Sequence, residues 1–568
     1  MKTVHAGLAA ARALLPGRGD YAGLRASWRS DLVAGLTVGI VALPLALAFG
    51  VSSGAGAASG LITAVVAGLV AAVFGGSHVQ VSGPTGAMVV VLAPVIAAHG
   101  LGALAAVSVL AGLIVLAAGT LKLGRVVTFL PWPVIEGFTV GIAAIIFLQQ
   151  VPAALATDGG DSTNAVLAAA HAAGAVNAAG AGWVSTGASL GIVAVVAAVM
   201  VLAPKIHPRL PGSLVAIVLA SVIAEVFALP VARIGALPTS LPAPALPVLN
   251  MEILSALVGP AATIAALAAI ESLLSARVAS SISDTGAYDA DRELFGQGLA
   301  SIASGFFGGM PATGAIARTA VNIRSGGRTR AAAITHALVL LAVVYLATSV
   351  VSRIPLAALA GVLMVTAARM VSLPTLRAVI GSTRADTIVF FVTAVITVSF
   401  DLIEAVEIGI VVAAFFALRS LVRSSGVHRE EIPGPIMDGD EHIALFRLDG
   451  ALFFGAAERV LERVTDIRNV DVVILRMSQL QILDATGARV ITDITQALER
   501  RGITVLIKGI QDRHLHLATK VGVIESLRHH KHLFSDLPAA VEHARSHVSR
   551  AAAARTAQAA TERKKTEP

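Results

Sequence analysis

The sequence contains no cysteine. Disulfides and thiolate chemistry are therefore excluded, and cysteine usage leaves the redox compartment open. Charge is scarce as well: 14% of the 568 residues are charged and 56% are hydrophobic, whereas soluble domains carry about 25% charged residues. With a mean hydropathy of +0.82, the chain reads as an integral membrane protein. The basic N-terminus, MKTVHAGLAAARALLPGRGD, has no signal-peptide core before a small-residue cleavage site and reads as a cytoplasmic lead-in. No carboxylate pair, nucleophile–base arrangement or phosphate-binding loop stands out, which disfavours a membrane enzyme. His78 and His99 are isolated, so neither a metal nor a cofactor is expected.

Apolar runs cover most of the chain from residue 31 to 421. Fourteen segments are read, at 31–49, 59–75, 85–98, 101–120, 131–150, 184–202, 212–228, 253–276, 294–308, 314–324, 331–350, 355–371, 387–400 and 403–421. A full span needs about 20 apolar residues; the segments at 85–98 and 314–324 are too short to cross alone, and each follows a Gly/Pro-rich stretch. The net charge of +7 could point to nucleic acid, but its placement points to membrane anchoring. Lys122 and Arg125, Lys205 and Arg209, Arg277 and Arg292, Arg324, Arg328 and Arg330, and Arg369, Arg377 and Arg384 fall in loops on one side, while 151–183 has no Lys or Arg and 229–252 has only Arg233. Basic loops are cytoplasmic, so an even number of spans with both termini inside is self-consistent. The partners expected are a lipid bilayer and no nucleic acid.

After residue 421 the character changes. Short β-rich runs (HIALFRL, DVVILRM, ITVLIKGI) alternate with amphipathic helical patterns (AAERVLERV, ARVITDITQALERR, LPAAVEHARSH), the signature of a small α/β domain. The expected organisation is a lead-in at 1–30, a membrane domain at 31–421, a linker at 422–440 around Pro433, Gly434 and Pro435, a soluble domain at 441–547, and a disordered tail at 548–568.

The two short segments share a chemistry. Residues 82–88 read SGPTGAM and 310–318 read MPATGAIAR. Ser82 or Thr85 is a candidate cap for the first helix, with Pro84 in its first turn, and Thr313 for the second. Gly83, Gly86 and Gly314 permit close backbone approach. A helix that starts in mid-membrane has unpaired N–H groups and roughly half a positive charge at its N-terminus. Two such ends facing each other make an anion site, and Arg318, one turn in, adds positive potential. The competing reading is a pair of ordinary kinks with Arg318 reaching for the surface.

Glu271, in AATIAALAAIESLLSARVAS, is the second anomaly. An ionised carboxylate there costs several kcal/mol unless it is protonated, paired or wet. It reads either as a proton- or cation-coupling group near a substrate or as a structural hydrogen-bond partner, for example of Ser275. Arg277 reads as an interfacial anchor. Gln149, Gln150 and Glu136 are weaker polar candidates.

These residues carry a family resemblance. DLVAGLTVGIVALPLALAFG (31–50), VQVSGPTGAMVVVLAPV (79–95), GFTVGIA (137–143), AAIESLLSARVA (268–279) and ELFGQGLASIASGFFGGMPATGAIARTAVNIRSGGRTR (293–330) are similar to motifs of the sulfate permease (SulP) family of anion transporters. The resemblance runs from 31 to 546. It implies an all-α polytopic membrane domain of fourteen segments in two inverted repeats of seven, with core and gate domains, followed by a cytoplasmic α/β STAS domain. It also implies that a small anion lies between the N-termini of the third and tenth helices. Thr85, Gly86 and Ala87 would supply one end; Gly314, Ala315, Ile316 and Ala317 the other, with Arg318 behind. Glu271 matches an acidic position associated with protons or sodium, so proton-coupled symport is expected, with sodium as the alternative ion. The substrate stays open among sulfate, bicarbonate and C4-dicarboxylates, and an uncoupled channel is the alternative function. A homodimer in a bacterial plasma membrane is expected. Two departures stand out: Leu45 where many members have glutamine, and Ala485 where the related anti-sigma-factor antagonists have a phosphorylated serine, which puts phospho-regulation in doubt.

Overall fold

The computed structural model describes residues 14–125, 131–158, 160, 164–178, 183–207, 211–247, 251–399, 402–424, 426–452, 464 and 469–566. The chain divides into two compact units, 1–413 and 414–568.

A helix lies at each of the apolar segments: α1 (Leu24–Ser52), α2 (Ala57–Phe74), α3 (Gly86–His99), α4 (Ala103–Thr120), α5 (Trp132–Gln149), α6 (Trp183–Ile206), α7 (Gly212–Val226), α8 (Met251–Ile282), α9 (Ala290–Phe306), α10 (Ile316–Arg324), α11 (Arg330–Leu346), α12 (Leu356–Met370), α13 (Arg384–Ser399) and α14 (Leu402–Ser424). Among the described residues, seven helices are long and apolar enough to cross a membrane. The stretch 151–183, read from its composition as a loop, instead holds helices Val151–Leu155 and Ala165–Ala178. The second is alanine-rich, and alanine is the strongest helix former; the lack of Lys and Arg had masked it.

Packing repeats with an offset of seven. The pair α1–α11 corresponds to α8–α4, α4–α9 to α11–α2, and α5–α13 to α12–α6, and all six pairs are packed. Helices α1, α2, α4, α8, α9 and α11 therefore form one group, and α5, α6, α7, α12 and α13 another. Small residues bring the first group together. A Cβ on Gly298 of α9 would lie 2.5 Å from the Leu116 nitrogen and 2.7 Å from the Gly112 carbonyl of α4. In lipid, where apolar burial does not drive helices together, such close backbone contact supplies the packing energy.

The second unit carries a six-stranded sheet: β3 (Gly426–Glu430), β4 (Ile443–Leu452), β5 (Val472–Arg476), β6 (Leu480–Leu483), β7 (Thr504–Lys508) and β8 (Leu533–Phe534). Its path is β3–β4–β5–β7–β8, with β6 also on β4, and only the β3–β4 pairing is antiparallel. Ala444, Phe446, Val473 and Leu475 point to one face, packed with Ile491, Ile494 and Leu498 of α15 (Ala485–Arg500) and Ala518 of α16 (Asp512–Val521). Ile443, Leu445, Val472 and Ile474 point to the other, packed with Ala540, Val541 and Ala544 of α17 (Leu537–Thr566). Both faces are covered, as parallel sheets require.

Two segments differ from expectation. The 422–440 linker contains the end of α14 and the strand β3, whose Val427 is buried in the sheet's core. The tail at 548–568, expected to be disordered, continues α17 to Thr566; it is rich in alanine, and Arg555 pairs with Asp471 at 2.9 Å. The helix predicted at AAERVLERV and the first 13 residues of the lead-in lie outside the described residues.

Candidate functional site: two facing helix starts

Between α2 and α3 and again between α9 and α10 the backbone leaves the helix inside the membrane unit. There its polar groups need partners, because lipid offers none. The first segment finds them largely on α9 and α10. Glu293 accepts from the Gly76 and Ser77 nitrogens at 2.8 and 3.2 Å. Gln297 donates to Ser82 Oγ at 2.6 Å and to Glu293 at 2.9 Å. Thr319 Oγ1 accepts from the Val81 nitrogen, and Asn322 donates to the Val79 carbonyl. The second segment is held in the same way: the Met310 nitrogen donates to Thr63 Oγ1, the Ala312 nitrogen to Ser301 Oγ, and Ser304 Oγ to the Met310 carbonyl.

The two segments then pair with each other. Ser82–Gly83 (β1) and Thr313–Gly314 (β2) form a two-residue antiparallel ladder, extended by the Ala315 nitrogen donating to the Val81 carbonyl at 2.9 Å. Because the strands run oppositely, α3 and α10 depart in opposite senses with their N-termini adjacent. Thr85 is the N-cap of α3 and Ala315 that of α10, and neither supplies a side-chain cap. The expected caps are thus corrected: Thr313 lies before the N-cap, and the threonine hydroxyls have another task.

That task is Glu271. Thr85 Oγ1 and Thr313 Oγ1 lie 3.0 Å apart, and each is 2.8 Å from Glu271 Oε2. Ser275, the partner considered from sequence, instead lies 3.4 Å from Thr319 Oγ1. One turn into α10, Arg318 is buried, 2% exposed. Its Nη2 donates to the Pro84 carbonyl at 2.6 Å, crossing from one broken segment to the other, and its Nη1 has no hydrogen-bond partner. It does not reach for the surface. Gly83 makes room for it: at φ +153°, a Cβ there would lie 2.7 Å from Arg318 Nη1.

The predicted set is thus brought together, with unequal availability. The Gly314 and Ala315 amides are taken, by Ser272 Oγ at 3.0 Å and by Val81. The first-turn amides of α3 (Gly86, Ala87) and of α10 (Ile316, Ala317, Arg318) precede the first intrahelical donors, the Val89 and Thr319 nitrogens, which bond the Thr85 and Ala315 carbonyls, and so have no acceptor within their own helix. Gly86 faces Ile146 and Phe49. Two uncapped helix ends and a guanidinium surround one carboxylate, an arrangement that can hold an anion and a proton.

Sequence reasoning missed the polar stripe of α9. Glu293, Gln297, Ser301 and Ser304 fall on one helical face, and that spacing was the available signal. The weaker candidates lie elsewhere: Gln150 accepts from Ser52, Glu136 accepts from Trp132, and Arg277 is exposed.

Residues 28–393 match the model of the sulfate permease family, and residues 434–540 that of the STAS domain. The chain is 33% identical over 514 residues, covering 88% of itself and 95% of the relative, to the Bacillus subtilis protein named "Putative sulfate transporter YvdB". It is 32% identical over 505 residues (85% of this chain, 88% of the relative) to the bicarbonate transporter BicA of Synechocystis. Among solved structures, it is similar to the transmembrane domain of a cyanobacterial BicA, at 34% identity and TM-score 0.60 over 68% of this chain and 97% of that one. SLC26A9 shares the fold at 18% identity and TM-score 0.78, over 92% and 91% of the two chains.

Proposed function

This chain belongs to the sulfate permease family of anion transporters, and from that premise we propose that it is a secondary active transporter taking up a small oxyanion together with a proton. The anion sits between the starts of α3 and α10, held by the first-turn amides of Gly86, Ala87, Ile316 and Ala317 and by Arg318. Thr85, Gly314 and Ala315 shape the site. Sulfate, bicarbonate and C4-dicarboxylates are the candidate substrates, and alternating access carries the site from one side to the other. The basic loops support cytoplasmic termini in a bacterial plasma membrane, and a homodimer is the proposed assembly.

The observation that carries the coupling is Glu271, hydrogen-bonded to Thr85 and Thr313 at the junction of the two helix ends. Ionised, it occupies the positive field of these ends and repels a second anion. Protonated, it leaves that field to the substrate and its O–H can donate to a threonine. Proton and anion therefore bind better together than apart, and the coupling is reciprocal. An inward proton gradient then drives accumulation.

The test is uptake of labelled sulfate, bicarbonate and fumarate into proteoliposomes with acid outside. One anion is expected to accumulate above equilibrium, and Glu271→Gln is expected to keep exchange while losing the response to the pH gradient. Unchanged pH dependence in Glu271→Gln defeats the coupling. A current that follows the electrochemical gradient without saturating replaces the transporter with a channel.

A further inference from the structure

The second unit contains a histidine cluster with no part in the anion site. His532 closes the 3-10 turn His530–His532 just before β8, and His543 and His547 lie one turn apart on α17. Their candidate ligand nitrogens all lie within 4.8 Å of one another. The His543 and His547 Nε2 atoms are 3.2 Å apart, and the ring of His532 is centred 5.5 and 5.4 Å from theirs. His532 is 4% exposed, and its buried Nδ1 has no hydrogen-bond partner.

We propose that His532, His543 and His547 form a site for a divalent transition-metal ion, with zinc as the fitting metal. Two histidines at i and i+4 on one helix face, joined by a third from a neighbouring turn, are a three-nitrogen donor set that suits a tetrahedral ion. With Zn–N distances of about 2.0–2.1 Å, tetrahedral ligand atoms stand about 3.4 Å apart, close to the separation of the helical pair. The unpartnered Nδ1 of His532 is a buried nitrogen that a metal ion would satisfy. The fourth position is left for water or another small ligand. The metal would tie α17 to the turn before the edge strand β8 and so brace the far end of the sheet. Sequence reasoning considered only His78 and His99. The signal it passed over is the HHKH run at 529–532 together with the His-x3-His spacing at 543 and 547.

The test uses the full chain, purified in detergent through an affinity tag that contains no histidine. Zinc content is measured after exposure to zinc and desalting, and cobalt(II) serves as the spectroscopic probe. About one metal per chain is expected, with visible d–d bands of tetrahedral cobalt and a raised melting temperature for the second unit. His543→Ala and His547→Asn are expected to weaken metal binding about tenfold or more, and His530→Ala, outside the cluster, to leave it unchanged. Because His532 is buried, it is left intact, and apo melting curves of each variant establish that the fold persists. Absence of stoichiometric metal in the folded wild type, or equal binding by the His543→Ala/His547→Asn double variant, overturns the site. In that case the His543–His547 contact is a hydrogen bond between neutral rings.

Discussion

The starts of α3 and α10 occupy corresponding places in two related halves, yet they are chemically unlike. The α3 start is Thr85-Gly86-Ala87, with a hydroxyl at the N-cap and, at Gly86, room bounded by the movable tip of Ile146. The α10 start has an alanine N-cap, a preceding pair of amides already committed to Ser272 and Val81, and a guanidinium one turn in. One end packs against a side-chain tip that can move; the other is fixed and carries the charge. The repeat thus duplicates the geometry of a broken helix and leaves each copy free to specialise.

The largest expected effect comes from erasing the charged side of that difference. Arg318→Ala removes a buried cation and leaves the Pro84 carbonyl without its donor. A cost of about 3 kcal/mol or more corresponds to a loss of initial uptake of at least about a hundredfold, measured at saturating pH gradient. If Arg318→Ala transports normally, the asymmetry is irrelevant to the substrate.

Glycines test the backbone next. Gly83→Ala places a Cβ against Arg318 at a φ that side-chain-bearing residues avoid, and uptake is expected to fall by more than tenfold, with about 1–3 kcal/mol of strain. Gly86→Ala meets mainly the Cδ1 of Ile146 and is expected to keep most of its activity. Equal losses in the two variants break the contrast between a fixed and an adjustable region.

Thr85→Val and Thr313→Val each leave Glu271 with one hydroxyl partner. Each is expected to reduce proton-driven uptake about five- to thirtyfold, from about 1–2 kcal/mol per lost hydrogen bond. Identical pH profiles for the two variants and the wild type would remove both hydroxyls from the coupling.

The smallest effect lies away from both starts. Asp20, ahead of α1, is bonded by Arg292 of α9 at 2.7 and 2.8 Å and approached by Arg330 of α11. Burial alone would raise its pKa, but the hydrogen bonds from Arg292 and Gly17 and the charge of Arg330 outweigh that and lower it from 3.8 to about 2. Between those values the unfolded chain binds more protons than the folded one, so this contribution is complete above pH 3.8 and lost as pH falls toward 2. Asp20→Asn is expected to lower the melting temperature by a few degrees at pH 7 and to remove that stretch of acid sensitivity, with little change in uptake.

Hydropathy located the membrane helices because the bilayer forces each to satisfy its backbone internally and to expose apolar side chains. Gly-Pro clusters exposed the two breaks for the same reason. Glu271 was conspicuous as an acid among alanines. Its partners were not, because Thr85 and Thr313 stand 186 and 42 residues from it and no local pattern records such contacts. The same holds for Glu293 and Gln297, which lie in a helix that reads as an ordinary span while serving the backbone of a distant segment. In the soluble unit, alternation of apolar residues marked the strands. The His532–His543–His547 cluster depended on a fold that brings a turn beside a helix.

The short ladder between Ser82–Gly83 and Thr313–Gly314 has a kinetic consequence. With the Ala315–Val81 and Arg318–Pro84 bonds it staples the two proposed hosts of the anion together, so neither can withdraw while the other stays. A cycle that leaves this staple closed never rebuilds its binding site and offers the substrate the same intrinsic affinity from either compartment. Dissociation constants measured with the site facing each compartment are then expected to coincide. The direction of net flow would belong to the gradients alone, and the protein would set only its pace.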